Sequence, residues 1–406
     1  MTTPKYDPLV QDLVNFVYRT EDRNQSFSQA VKSATDPKNG GDGEMSQENI
    51  STLEDYFRFC DDLLKWVPAV DTTVDTTDDA LLRKLLVFYW VFNQPSVADY
   101  QTSIKPENAG SDPKWLSYWQ VVYARALGSF LSTKESTSKI WTFYENPLYN
   151  QESKLWQDPP EPNNEWASFN QFFSRKWKDI DIARPLDQKE NVIVSAADSK
   201  FGEDLPVEDG TVTIKGFYWT IKKLVQGSVD FNVVSFMHAF LGPTDYHRQH
   251  APVSGRVVEA KVIQELVYLQ VTDDPNHTGL APDRGLLVKK PFLGKKRPGD
   301  LTAGRGHDFY DITAPDEPGY QWCQTRGVIV IETENHGKVA VLPIGMAQVS
   351  SVVLTVKEND VVEKGQEISY FQFGGSDIVL IFEKPVHYSV KGGDKCNVRS
   401  KIATFL

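Results

Sequence analysis

The sequence predicts an α+β protein in which an all-helical N-terminal domain is followed by a β-rich domain. Up to about residue 145, apolar residues recur at spacings of three and four, as on one face of a helix. Prolines and asparagines then interrupt every period in NPLYNQESKLWQDPPEPNNEW, residues 146 to 166. Beyond this stretch the apolar runs are short and bounded by Gly, Asp, Asn or Pro, which is typical of strands. We therefore expect a helical domain over residues 1–145, a linker over 146–165 and a β-rich domain over 166–406.

Four segments of the N-terminal part have the apolar spacing of amphipathic helices. They are DPLVQDLVNFVYR, ISTLEDYFRFCDDLLKWV, DDALLRKLLVFYWVF and DPKWLSYWQVVYARALGSFLSTK, and the loop ATDPKNGGDGEMS separates the first two. Ser46 before QENI, and Asp78 with Asp79, are residue types that cap helix N-termini. The many Trp and Tyr side chains of this part are expected to form a core rather than to contact a cofactor.

The β-rich part contains two pieces that resemble each other. APVSGRVVEAKV, residues 251 to 262, and LTVKENDVVEKGQEI, residues 354 to 368, look like the strand-turn-strand halves of the flattened barrels in biotinyl and lipoyl carrier domains. This likeness leaves open a non-catalytic carrier module, although a carrier presents a modifiable lysine at a hairpin apex and the matching region has Gly-Gly-Ser-Asp. A Gly- and Pro-rich insertion over 272–322 is too long for an ordinary connection, and we expect a lid or substrate loop there.

Composition and charge exclude several classes of protein. A hydrophobic content of 40% with 12% aromatic residues is ordinary for a globular core, and the net charge of -12 argues against binding nucleic acid or an anionic membrane surface. The N-terminus lacks the basic and apolar regions of a signal peptide, and the longest apolar run, LLVFYWVF at 85 to 92, is too short to span a bilayer. Three scattered cysteines offer neither a disulfide framework nor a metal site. A soluble cytoplasmic protein is expected.

A break in the most strand-like stretch raises the question of chemistry. FQFGGSDIVLIFEKP, residues 371 to 385, reads as a strand on both sides of GGSD. Asp198 in SAADSKF, His247 and His250 in DYHRQHAP, and Ser376 occur in an order that a hydrolase triad can take. A hydrolase elbow, however, needs glycine on both sides of the serine in GxSxG and a helix directly after it, whereas Ile378 continues a strand.

A different use of the serine fits each of these features. If the Ser376 hydroxyl attacks the carbonyl of Gly375, the backbone rearranges to an ester, and elimination then cuts the chain and leaves dehydroalanine, which hydrolyses to a pyruvoyl group. Gly375 has no Cβ to crowd the attacked carbonyl, and Gly374 lets the backbone distort toward attack. A histidine must take the hydroxyl proton and a carboxylate must orient that histidine, as for other activated nucleophiles. The bond between Gly375 and Ser376 is thus the predicted self-cleavage site.

The motifs around these residues resemble those of the phosphatidylserine decarboxylase family, in which the serine of a Gly-Ser bond becomes a pyruvoyl prosthetic group. The similar segments, which cover about residues 165 to 385, are FFSRKWKDIDIARPL, SAADSKF, KGFYWTIKKLV, DYHRQHAPVSGRV, LPIGMAQVSSV and FGGSD. The resemblance implies that Asp198, His250 and Ser376 carry out self-processing and that His247 acts in decarboxylation. Together with a helical N-terminal domain, these motifs resemble a fungal branch of the family that includes a soluble tryptophan decarboxylase.

Two positions depart from the family pattern. Ser199 follows Asp198 where the family has glycine, and Asp377 follows Ser376 where threonine is common. The first change is small, whereas the second puts a charge beside the N-terminus that cleavage would create. His238, on a predicted strand, has no assigned chemistry.

The resemblance and the cleavage chemistry together predict a pyruvoyl-dependent decarboxylase whose large and small chains stay associated. Its pyruvoyl group would form a Schiff base with a substrate amine and accept the electron pair released with carbon dioxide, so that no metal or diffusible cofactor is needed. His247, with a pKa near its ordinary value, would return a proton to the carbon. Because no long apolar or basic segment marks a membrane-facing surface, a free L-amino acid, aromatic ones included, is the expected substrate. Phosphatidylserine is the alternative.

Overall fold

The computed structural model describes residues 5–73, 80–214, 217–227, 232–274, 279–282, 319–347, 351–373 and 376–406, without the side chains of Ala80, Asp274 and Ser376. Its α-helices are α1 (Pro8–Tyr18), α2 (Glu21–Ala34), α3 (Asp42–Gln47), α4 (Leu53–Leu63), α5 (Ala80–Phe92), α6 (Trp115–Phe130), α7 (Trp141–Glu145), α8 (Phe169–Phe173), α9 (Ile180–Ala183) and α10 (Ile221–Val225). Short 3-10 helices lie at Pro95–Tyr100, Pro106–Asn108, Lys134–Thr137, Ser153–Leu155 and Tyr320–Trp322.

The N-terminal helices form because each buries one apolar face and several begin at a capping residue. In α1, Leu13 and Val17 are buried at helical spacing, and α4 starts with a capping box of Thr52 and Asp55. Helices α1, α4, α5 and α6 coincide with the predicted helical segments. The sequence pattern does not predict α2, because its sequence EDRNQSFSQAVKSA is mostly polar and buries only a narrow stripe that includes Phe27.

The strands all lie in the second part of the chain, from residue 192 onward. The strands are β1 (Val192–Val194), β2 (Ser199–Pro206), β3 (Thr211–Ile214), β4 (Phe217–Thr220), β5 (Ser235–Leu241), β6 (Arg248–His250), β7 (Gly255–Ile263), β8 (Val271–Asp274), β9 (Gly279–Pro282), β10 (Arg326–Glu332), β11 (Lys338–Gly345), β12 (Val352–Leu354), β13 (Val361–Val362), β14 (Glu367–Phe371), β15 (Ser376–Phe382), β16 (Val386–Tyr388), β17 (Lys395–Cys396) and β18 (Lys401–Phe405). Eight of them form one antiparallel sheet in the order β13-β7-β10-β11-β15-β5-β2-β17. Helices followed by this sheet confirm the α+β class.

Smaller sheets complete the fold. Strands β1, β18 and β16 form one of them and β12, β14 and β6 another, while β3-β4 and β8-β9 are hairpins. The division into domains and the likeness to flattened carrier barrels stay predictions. Of the insertion over 272–322, only its ends are among the described residues. Within the described part, no helix combines the length and hydrophobicity that crossing a bilayer requires.

The two faces of the large sheet belong to two different hydrophobic cores. Val379 and Ile381 of β15 lie in a core shared with the N-terminal helices, whereas Ile378, Leu380 and Phe382 lie in a core shared with α8. This division follows from the alternation of side chains along a strand. A continuous apolar core therefore joins the helical part of the chain to the sheet.

Candidate active site

Ser376 begins β15, an inner strand of the large sheet. Its backbone lies opposite Gly345 of β11 and Leu241 of β5, so both neighbouring strands hold the chain on the C-terminal side of the predicted scissile bond. Gly374 and Gly375, on the other side of that bond, lie outside the described residues. The predicted cleavage site is thus at the point where a well-paired strand starts.

His247 lies beside the chain that leads into this site. Its backbone carbonyl accepts the N–H of Phe371 at 2.9 Å. Phe373, the last described residue before the two glycines, packs on Phe173 with 5.3 Å between ring centres, and Phe173 stacks on the imidazole of His247 at 3.8 Å and 17°. The turn that carries His247 starts directly after Leu241, the residue opposite the first residue of β15. Through Phe371 directly and through Phe173 indirectly, His247 therefore packs against the chain on the N-terminal side of the predicted scissile bond.

The imidazole of His247 is buried and neutral. Nε2 lies 3.4 Å from the carbonyl oxygen of Pro243, while Nδ1 is buried and has no hydrogen-bond partner among the described residues. Burial, reinforced by the charge of Arg175, lowers its pKa from 6.5 to about 3. This differs from the expected pKa near the ordinary value, because the stack on Phe173 excludes the water that would solvate an imidazolium.

His250 is oriented by the backbone. It ends β6, and its Nδ1 lies 2.7 Å from the carbonyl oxygen of Gly365. Because a carbonyl can only accept, Nδ1 donates and Nε2 keeps its lone pair, 3.4 Å from the hydroxyl oxygen of Tyr246. Burial lowers the pKa of His250, so the imidazole is neutral near neutral pH. A neutral imidazole with a lone pair on Nε2 is the form that a general base requires.

Asp198 pairs with Arg184 instead of His250. Nε of Arg184 lies 2.9 Å from Oδ1 and Nη2 lies 2.5 Å from Oδ2, and the backbone N–H of Val398 donates to Oδ1 at 2.7 Å. Across the described chain, no hydrogen bond joins Asp198 to His250. The expected contact is therefore absent from this structure, because the permanent charge and forked donors of a guanidinium bind a carboxylate better than a neutral imidazole does.

One segment supplies partners for several of the predicted site residues. FFSRKWKDIDIARPL, residues 172 to 186, contains both Phe173, which stacks on His247, and Arg184, which binds Asp198. Just before it, Asn170 Oδ1 accepts the backbone N–H of Phe373 at 3.0 Å. Sequence reasoning used this segment only as a motif, since nothing in the linear sequence indicates that Arg184 folds back onto the aspartate.

Two further acids lie close to the predicted residues. Asp245, in the turn between β5 and β6, accepts the N–H of Gly242 at 2.7 Å, and burial raises its pKa to about 6. Asp377, directly after Ser376, is fully buried with Oδ2 at 2.9 Å from Nε2 of His238. In the sequence, Asp377 stood out only as a departure from a motif.

Comparison with known proteins agrees with the motif resemblance. A sequence model of a family described as phosphatidylserine decarboxylase matches residues 169–404, which is more than half of the chain. The matched stretch contains Asp198, His247, His250 and Ser376.

Curated proteins of bacterial, plant and yeast origin are also similar. The phosphatidylserine decarboxylase proenzyme of Fusobacterium nucleatum is 30% identical over 276 residues, which are 67% of this chain and 74% of that protein. Phosphatidylserine decarboxylase proenzyme 2 of Oryza sativa subsp. japonica is 28% identical over 263 residues, 63% of this chain and 35% of its own length. Phosphatidylserine decarboxylase proenzyme 2 of Saccharomyces cerevisiae is 29% identical over 224 residues, 54% of this chain and 16% of its own length.

Proposed function

Because the chain belongs to the phosphatidylserine decarboxylase family, whose members are pyruvoyl-dependent carboxy-lyases, we propose that it cuts itself between Gly375 and Ser376 and then decarboxylates phosphatidylserine. The large chain would comprise residues 1–375 and the small chain residues 376–406. His250 would accept the proton of the Ser376 hydroxyl, and His247 would act in decarboxylation. The names of the relatives favour this substrate over the free amino acid expected from the sequence.

The observation that carries the proposal is the position of the histidine segment against the chain around residue 376. The turn after Leu241 brings His247 onto Phe173, which in turn packs on Phe373 immediately before the glycines. Three residues later, His250 offers an unprotonated Nε2. A carrier module would instead need a lysine at a hairpin apex, whereas here a serine starts an inner strand.

Asp198 supports self-processing through its charge and through the chain it holds. Although burial dominates and lowers the pKa of His250, the negative charge of Asp198 acts in the opposite direction and favours the imidazolium formed when the histidine takes a proton. The hydrogen bond from Val398 to Asp198 also fixes the turn before β18. Asp198 would thus stabilise the protonated His250 without touching it.

The residues around Ser376 suit a pyruvoyl group. When bound, this group supplies an electron sink for the electron pair left behind as carbon dioxide departs. His247 offers a buried Nδ1 that has no hydrogen-bond partner among the described residues, and Phe173 shields its ring from water. Because its pKa is lowered to about 3, His247 is a neutral imidazole, which accepts a hydrogen bond at Nδ1 and donates one at Nε2. Its proposed role is to orient the reacting group and to relay a proton, because an imidazole with so low a pKa stays neutral between transfers.

A free amino acid is the second candidate substrate. Two carboxylates, Asp377 and Glu203, flank a single imidazole, that of His238, and one of them adjoins Ser376. The cluster carries one net negative charge, and a phosphodiester bound close to it would be repelled more strongly than a zwitterionic amino acid. This observation favours a substrate without phosphate, including an aromatic L-amino acid.

Two measurements on the purified protein test the proposal. Intact mass spectrometry should show two chains that separate between Gly375 and Ser376, with a small chain that lacks a free N-terminal amine. Carbon dioxide and the amine product should form from phosphatidylserine in mixed micelles. Turnover of a free amino acid with none of phosphatidylserine would favour the second candidate, and an active protein that stays a single full-length chain would contradict self-processing.

A further inference from the structure

We propose that Asp377, held by His238 and Tyr320, is a positioning residue that keeps the N-terminus of the small chain, and with it the prosthetic group, in place. The inference rests on the proposed self-processing and concerns a residue to which the cleavage chemistry assigns no role. It is carried by the contacts of the Asp377 carboxylate on the face of the sheet that packs on the N-terminal helices.

Asp377 is held from two sides inside the protein. Its carboxylate is fully buried, and Oδ2 lies 2.9 Å from Nε2 of His238 on β5. The hydroxyl of Tyr320, in the 3-10 helix before β10, donates to the same oxygen. Asp377 lies opposite Phe240 and on the same face as Val379, which places it toward His238. Three distant parts of the chain therefore meet at one carboxylate.

His238 is positively charged because a second carboxylate faces its other nitrogen. Nδ1 lies 3.7 Å from Oε2 of Glu203, which a β-bulge between Phe201 and Glu203 turns toward this face. A Cβ at Gly202 would lie 3.2 Å from Nδ1, so the bulge packs closely on the ring. Burial acts to lower the pKa of His238, but Asp377 and Glu203 raise it to about 9. An imidazolium between two carboxylates is the result.

Self-cleavage changes what this cluster connects. After the cut, Asp377 is the second residue of the small chain, whereas His238 and Tyr320 stay in the large chain. The new chain end has lost its covalent neighbour, and the strand pairing of β15 and the contacts of Asp377 are what fix it. Reacting groups must be held closely, since a misplacement of about 1 Å can cost roughly 100-fold in rate. A buried ion pair one residue from the prosthetic group meets that need.

The cluster is not simply a satisfied core ion pair. Oδ1 of Asp377 and Oε1 of Gln321 are both buried and have no hydrogen-bond partner in the described part of the chain. Gln321 reaches the same histidine, with its Nε2 3.4 Å from Nε2 of His238. Buried polar atoms that serve stability alone are normally satisfied. Unused acceptors next to the chain end are instead consistent with a functional site.

The test combines a time course of self-cleavage with native gel filtration. Freshly translated full-length chains are followed on a denaturing gel, and the cut protein is then examined for loss of its small chain. Asp377→Ala removes both contacts and should slow cleavage by about 10- to 100-fold and release small chain. Asp377→Asn keeps the shape and an acceptor for Tyr320, and should give an intermediate rate. His238→Gln should resemble Asp377→Asn.

A matched control separates this role from a general loss of stability. Glu48→Gln removes two ion pairs in the helical part of the chain, one with Arg83 and one with Lys84. It should lower the melting temperature without slowing self-cleavage. If Asp377→Ala fails to fold, the cleavage rates of Asp377→Asn and His238→Gln test the inference, and both should be slower than the wild-type rate. The inference is overturned if these variants cleave at the wild-type rate and keep their small chain. It is also overturned if Glu48→Gln slows cleavage as much as they do. A wild-type chain that never cuts overturns the proposed function as well.

Discussion

The guanidinium of Arg184 holds the carboxylate of Asp198 through hydrogen bonds of 2.9 Å from Nε to Oδ1 and 2.5 Å from Nη2 to Oδ2. Both side chains are almost completely buried, and Glu152 accepts from Nη1 and Nη2 on the outer side of the guanidinium at 2.8 and 2.7 Å. The aspartate predicted to orient a histidine is thus part of an Arg-centred ion cluster. This relationship changes what substitutions at the site should do.

Arg184→Met should destabilise the protein by about 3 to 5 kcal/mol, because it leaves the carboxylate of Asp198 buried without its cation. Urea unfolding of purified protein measures the loss. The double variant Arg184→Met with Asp198→Leu should recover most of it, since neither charge then remains buried.

The control for this prediction is an exposed ion pair. Lys178→Met removes the pair with Asp158, whose atoms lie 2.9 Å apart at the surface, and should cost less than about 1 kcal/mol. Equal losses in Arg184→Met and Lys178→Met would contradict a structural role for the buried pair.

The two histidines of the site should separate into two steps. His247 lies just before β6 and His250 ends that strand, and they have different partners, Phe173 for His247 and Gly365 for His250. His250→Ala removes the proposed base and should leave an uncut chain. His247→Ala should cut substantially but decarboxylate poorly. A denaturing gel and a carbon dioxide assay on the same preparations distinguish these outcomes.

His387 provides a matched histidine control. It is exposed on β16, and His387→Ala should cut and decarboxylate like the wild type. If His250→Ala matured normally while His247→Ala stayed uncut, the two proposed roles would have to be exchanged.

Gly365→Ala should impair self-cleavage through the partner of His250. Gly365 has φ +81°, and an added Cβ would lie 2.9 Å from both Nε of Arg399 and Cδ1 of Leu186. Strain and crowding together should cost about 1 to 3 kcal/mol and displace the carbonyl that accepts from His250. Thermal unfolding and the cleavage time course report the two effects separately.

Gly43→Ala is the matched substitution for this prediction. Gly43 is in helix α3, and a Cβ there would meet no atom within 4 Å. Alanine should be neutral or stabilise by at most about 1 kcal/mol, because it suits a helix better than glycine does. A normal cleavage rate in Gly365→Ala would show that the Gly365 carbonyl does not orient the base.

Stability should fall on the alkaline side because of His238. The groups that face it are Asp377 from β15, Glu203 from β2, and Tyr320 and Gln321 from the 3-10 helix. Its pKa is raised from 6.5 to about 9, so its contribution is complete below 6.5 and is lost as the pH rises through about 9. The melting temperature should decline as the pH rises across this range, and that of His238→Gln should decline less. Parallel curves for the two proteins would contradict the prediction.

Stability should also fall on the acid side because His247 is buried in the neutral form. Burial first, and Arg175 second, lower its pKa from 6.5 to about 3, so the unfolded chain takes up a proton that the folded chain refuses. The loss should approach roughly 1.4 kcal/mol for each pH unit below 6.5. In urea unfolding, the free energy of unfolding of His247→Gln should fall less steeply with decreasing pH than that of the wild type. An unchanged slope would mean that the imidazole is hydrated.

Local pattern was sufficient for the class of fold and for the family. Helical spacing predicts α1, α4, α5 and α6, and the glycines before Ser376 mark a break in a strand, because both signals depend on neighbours only a few residues apart. The motifs around Asp198, His247 and His250 likewise lie in short segments, and the family that they resemble is the family to which the chain belongs.

Which side chains meet was decided only by the tertiary structure. Arg184 and Asp198 are 14 residues apart in the sequence, and His238 and Asp377 are 139 apart. No local sequence pattern could therefore predict either pair. The same packing buries His247 on Phe173 and lowers its pKa far below its ordinary value, whereas the two carboxylates at His238 raise that of another histidine. Sequence specifies residue types and their order along the chain, but proton affinity depends on desolvation and nearby charge, and both exist only once distant segments have packed together.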